Sequence, residues 1–100
     1  MKTIMTFEMK RTLKRWTYTT LPFKGKCKID GETISFRMRL EAVNLHHVPD
    51  VLGIEAWCKE AAATPTTVEE FALLASDQFE MQVTVIGKTK THGTIRVTIS

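Results

Sequence analysis

The sequence predicts a single α+β domain in which two helices cover one face of a largely antiparallel sheet. Three observations predict it. Apolar residues alternate near both ends of the chain, at Met5, Phe7 and Met9 and again at Met81, Val83 and Val85. Asp30-Gly31 sits between two alternating runs, the strongest short-range hairpin signal. The middle of the chain repeats at helical spacing instead, and the resulting order is β-β-β-β-α-α-β-β over residues 1–100. One hundred residues suffice for one ordinary core and not for two.

Taken in order, residues 1–9 read as a strand and 10–14 as a basic bend. Residues 15–21 (RWTYTTL) suit a second strand by propensity, with Trp16 and Tyr18 on one face. Pro22 marks an edge or a strand start. A two-residue turn at Asp30-Gly31 pairs Lys26 with Ser35, Gly25 with Phe36 and Lys24 with Arg37. That register sorts Phe23, Cys27, Ile34, Phe36, Met38 and Leu40 onto one face. Lys24, Lys26, Lys28, Arg37 and Arg39 go to the other with Thr33 and Ser35, and a slip of one residue would mix the sets.

Residues 41–48 are ambiguous, and their second half reads as a loop. Pro49 suits the first turn of a helix and Asp50 complements its dipole; Val51, Ile54, Cys58 and Ala61 then mark the apolar stripe, leaving Trp57 beside it. The run before Pro65 closes this helix. Thr66 or Thr67, each with a glutamate three residues on, caps the next, whose stripe is Val68, Phe71, Ala72, Ala75 and Phe79. Residues 80–86 and 94–99 form the last strands, joined by the basic turn GKTKTHG.

Charge is unevenly spread. Residues 1–40 carry ten Lys/Arg and three acids, net +7; residues 41–80 carry one Lys and eight acids, net −7; residues 81–100 add +3. A sheet built from the ends and helices built from the middle would give a basic side and an acidic side. No apolar run approaches a membrane span or a signal-peptide core, which favours a cytoplasmic setting and reduced cysteines at Cys27 and Cys58.

Chemistry-bearing motifs are sparse. His46, His47, His92, Cys27 and Cys58 match no zinc spacing, so no metal or cofactor is expected. No nucleophile elbow, HExxH or phosphate-binding glycine loop occurs, and no catalytic residue is assigned. A cysteine on an apolar stripe reads as structural. The basic face is the feature that points to function: Lys24, Lys26, Lys28, Arg37, Arg39 and Arg96, extended by Lys88 and Lys90, with Trp16, Tyr18 and Trp57 as candidate aromatic contacts. The expected function is a non-enzymatic binding protein of adaptor or inhibitor type, similar in size and style to phage and mobile-element accessory proteins. It would dock on a protein, one that itself handles nucleic acid, because the acidic central block is a poor surface to bring near DNA. The alternative is a nucleic-acid-binding module without sequence preference that uses the same face. An uncovered terminal strand would also allow a homodimer with a continuous sheet.

Overall fold

A computed structural model describes residues 4–100. Five strands and two helices follow in the order β1 (Thr6–Thr19), β2 (Phe23–Lys26), β3 (Thr33–Pro49), α1 (Val51–Ala62), α2 (Val68–Phe79), β4 (Gln82–Lys88) and β5 (Thr94–Ile99). The sheet is antiparallel in the order β1-β3-β4-β5, and β2 pairs with β3 beside the end of β1. Both helices pack on one face, as the periodicities require. The strand expected over residues 1–9 is seen from Thr6; its first three residues lie outside the described ones.

The two strands expected before Pro22 run on as one. The basic bend survives as a break in register between Glu8 and Leu13, where residues 9–12 of β1 stand against His46 alone. β3 is also longer than expected. Residues 41–48, whose second half reads as a loop in sequence, continue the strand through Asn44 at φ 54, a left-handed position that asparagine tolerates. Pro49 accordingly ends β3 rather than opening α1, and Asp50 caps the helix, its Oδ1 accepting from Leu52 N at 3.3 Å. Because β4 stops opposite Glu41, residues 42–49 pair only with β1. This two-stranded extension accounts for the elongated 47 × 22 × 20 Å shape.

The hairpin register differs from expectation by two residues. Lys24 lies opposite Ser35, Gly25 opposite Ile34 and Lys26 opposite Thr33. The loop holds residues 28–31, closed by Gly31 N donating to Cys27 O at 2.9 Å and Cys27 N to Glu32 O at 2.7 Å. Gly31 has φ +74, so the turn does need its glycine. A shift of two keeps the side chains that remain in the strands on their predicted faces; Lys28 passes into the loop. It also separates Lys24 from Arg37, the like-charge pair that the shorter turn would have placed together.

One contiguous core lies between sheet and helices. Phe36, Met38, Leu40, Val83 and Val85 rise from the sheet, and Ile54, Cys58, Phe71, Ala72 and Ala75 descend from the helices. Rings run through it in sequence: Phe23 to Phe36 at 5.4 Å, Phe36 to Phe71 at 5.1 Å, Phe71 to Trp57 at 5.5 Å and Trp57 to Phe79 at 5.1 Å. The buried face of α1 is thus Ile54, Trp57, Cys58 and Ala62, while Val51 is exposed. Thr67 caps α2 by accepting from Glu70 N at 3.1 Å, as one of the two capping boxes predicts. No helix among the described residues is long and apolar enough to cross a membrane.

Candidate functional site

Alternation and register place the candidate residues. On the sheet face away from the helices, β2 presents Lys24 and Lys26, and β3 presents Thr33, Ser35, Arg37 and Arg39. Across from Ser35, Arg37 and Arg39, β4 presents Lys88, Ile86 and Thr84. Opposite Ile86 and Thr84, β5 presents Arg96 and Thr98. β1 completes the far corner with Thr19, Thr17 and Arg15, opposite Arg39, Glu41 and Val43. All seven basic side chains are exposed. Glu41 is the acid in these rows, and Arg39 holds it at 3.5 Å. Arg37 and Arg96 stand directly opposite Ile86 in the two neighbouring strands, on a face otherwise rich in hydroxyls.

Apart from Glu41, the acids of the central block lie in the other layer. Glu55, Glu60, Glu69, Glu70 and Asp77 are on α1 and α2, with Asp50 and Glu80 at their caps. Charge is therefore segregated by layer, and the field over the open sheet face is positive.

Four of the expected contacts move. Lys28 leaves the basic face: it sits in the β2–β3 loop and its Nζ meets Glu70 Oε1 at 3.0 Å. Its backbone N donates to Thr66 O at 3.0 Å, and Thr66 N donates to Lys26 O at 3.0 Å, fastening the hairpin to the α1–α2 connection. Trp16 and Tyr18 lie opposite Ala42 and Leu40, on the helix side of the sheet. There they pack against the core, and the Tyr18 hydroxyl donates to Glu55 Oε2 at 2.5 Å. Desolvation, reinforced by that carboxylate, pushes the Tyr18 phenol up to about 12. Trp57 is 8% exposed between Phe71 and Phe79, so it is a core residue rather than an external anchor. None of the three aromatic residues expected as contacts lies on the open face, so they offer it no stacking platform.

Three further features were not legible in the motifs. Asp30, Glu32 and His92 bring two carboxylates and an imidazole within 4.8 Å of one another. His92 Nε2 lies 3.0 Å from Asp30 Oδ2 and 3.5 Å from Glu32 Oε2, and Thr91 donates to Glu32. Glu32 N also donates to Asp30 Oδ1 at 3.0 Å, and this bond leads the effects that hold the Asp30 carboxyl below its usual range. The groups satisfy one another and clasp the β2–β3 loop to the β4–β5 turn. Beside the clasp, Lys24, Lys26, Lys88 and Lys90 ring a concavity of about 680 Å³. At the other end, a larger cleft of about 930 Å³ follows the half of β3 that β4 leaves unpaired, between Val43, Leu45 and Pro49 and the α2–β4 corner at Phe79 and Met81. The sequence did not announce it, because residues 41–48 are ambiguous and their second half reads as a loop.

Both cysteines are free, and Cys58 is fully buried. Burial, helped by Glu55, pushes its thiol up to about 12, so at neutral pH it is a packed thiol and not a nucleophilic thiolate. His46 bonds Thr12, with Nε2 2.9 Å from Oγ1, and His47 lines the large cleft. No protein-family model matches the chain, and no curated protein matches it.

Proposed function

We propose that the open sheet face binds the phosphate backbone of nucleic acid without sequence preference. One observation carries the reading: Arg15, Lys24, Lys26, Arg37, Arg39, Lys88 and Arg96 share one exposed face, while the acidic block, Glu41 excepted, lies in the helical layer behind it. The sequence favoured a protein target because the acidic central block is a poor surface to bring near DNA. That block lies mainly on the helices and their caps, so a ligand on the open sheet face need not approach it, and the same face serves the phosphate alternative.

The chemistry fits backbone contact better than base readout. Arginine and lysine heads with interspersed threonines donate to phosphate oxygens. With Trp16, Tyr18 and Trp57 turned to the core, the expected rings are not there to stack bases, and the reading carries no sequence preference. Its affinity should come from counterion release, which makes it steeply salt-dependent.

The test is binding of a labelled mixed-sequence oligonucleotide, single- and double-stranded, at low and physiological salt. Affinity should fall with a log–log slope of about 0.7–0.9 for each phosphate neutralised. Lys24→Glu combined with Arg37→Glu should abolish binding. Absence of binding at low salt, or full-strength binding by the double variant, would show the reading to be wrong.

A further inference from the structure

We propose that the lysine-ringed concavity at the clasped end of the sheet receives the terminal phosphate of the bound strand. The proposal rests on the backbone-binding reading above and assigns one part of that surface a distinct ligand, a phosphomonoester at a nucleic-acid end.

Geometry sets this corner apart. Elsewhere on the face the basic groups stand singly or in pairs along different strands. Here Lys24 and Lys26 from β2 confront Lys88 and Lys90 from the end of β4 and its turn, around a space of about 680 Å³ floored by Thr33 and Ser35. Lys26 Nζ already donates to Thr33 Oγ1 at 2.9 Å, which directs that ammonium over the floor. Glu32 is the one acid in the lining; Thr91 donates to its carboxylate and His92 lies 3.5 Å away, both on the β4–β5 turn.

The corner also lies at one end of the open face. The β2–β3 loop and the β4–β5 turn leave the sheet at the same end, and the Asp30–His92 and Glu32–Thr91 contacts join them there. A chain tracking over Arg37, Arg39 and Arg96 toward this end would bring its terminus to the concavity.

Charge selects which terminus. A backbone diester carries one negative charge, whereas a terminal monoester carries about −1.5 to −2 at neutral pH and presents three acceptor oxygens. Four ammonium groups around one space repel one another unless a multiply charged anion sits among them. A hydroxyl end would leave that repulsion in place.

The experiment measures affinity for short single-stranded oligonucleotides of one mixed sequence, ending in either phosphate or hydroxyl. The phosphate-ended strand should bind about tenfold tighter, the effect of one additional charge-assisted contact. Lys88→Ala with Lys90→Ala should bring the ratio of the two affinities to about one. Arg37→Ala with Arg96→Ala should weaken both strands and preserve the ratio. All four side chains are exposed, so circular dichroism should report native folding for each variant. Equal binding of the two strands by the unaltered protein would overturn the end-recognition proposal and leave the backbone-binding face standing. Failure of both strands to bind at low salt would overturn both.

Discussion

Glu55 on α1 holds Tyr18 on β1 by one carboxylate oxygen, which accepts from the phenol at 2.5 Å and from Leu21 N at 3.0 Å. That oxygen fixes the end of β1 and the following turn against the first helix. Tyr18→Phe should cost about 1 kcal/mol, the net value of such a bond at a partly exposed site. Glu55→Ala should cost more, about 1–3 kcal/mol, because it leaves two donors without their acceptor. Equal losses in denaturant melts would show that Leu21 N finds water freely.

The chain has a single tyrosine, so its phenol can be titrated by absorbance without interference from another. Tyr18 should ionise near 12 instead of 10.0. Glu55→Gln should return it only part of the way, since desolvation is the larger cause. The sign for stability follows from linkage. A phenol and a thiol whose values rise on folding favour the native state fully below their unfolded values. That contribution is lost as pH climbs through the window from about 9 to 12. Melting temperature should therefore fall progressively above pH 9, and a flat profile there would contradict the burial of Cys58.

Much of this architecture was readable in the residues, and the failures have physical causes. The start of α2 was legible because Thr67 caps by local chemistry, whereas α1 was expected to open at Pro49 and instead opens after its Asp50 cap. Face assignment was legible because strand alternation has period two, which is why the basic face kept Lys24, Lys26, Arg37, Arg39 and Arg96 despite the wrong loop length. Loop length itself was not legible: Gly31 serves the left-handed position of a four-residue loop as well as a two-residue one. Trp57 was misplaced because the helical stripe was drawn from Val51, and Val51 turned out to face solvent. The Asp30–Glu32–His92 clasp joins residues about sixty positions apart, and nothing local announces it.

Lys28 separates the structure-based face from the one read by alternation alone. It pairs with Glu70 at the hairpin's outer corner, with the two side chains 58% and 47% exposed. Lys28→Ala should cost under about 1 kcal/mol in stability, as exposed pairs do. It should also leave oligonucleotide affinity within about twofold, whereas Lys26→Ala should lower both affinity and salt slope. If the two lysines prove equivalent in a binding titration, the loop does not hold Lys28 away from the ligand.

Solvent access should divide the two cysteines. Cys27 is half-buried at the end of β2, while Cys58 lies in the core beneath the aromatic cluster. An aromatic disulfide reagent at neutral pH should modify one thiol in the folded protein and two after denaturation. The Cys27→Ser variant should then show no native-state reaction. Rapid labelling of Cys58 in that variant would mean that α1 opens readily from the sheet.

Gly87 lets α2 sit close on the sheet. A Cβ at this position would lie 2.4 Å from Val68 Cγ2 and 3.1 Å from Ile34 Cγ2, both stiff β-branched side chains in the core. Replacing a strand glycine by alanine ordinarily stabilises by roughly 0.5–1 kcal/mol through the unfolded chain. Overpacking costs about 1–3 kcal/mol, so the clash decides the sign. Gly87→Ala should be destabilising, and Val68→Ala in the same chain should recover part of the loss by vacating the space the new methyl needs. The interaction between the two changes should be clearly non-additive in a double-mutant cycle. Additive losses would mean that the first turn of α2 can lift from β4 without cost, and the close approach of helix to sheet at this point would then not determine where Thr67 places the cap.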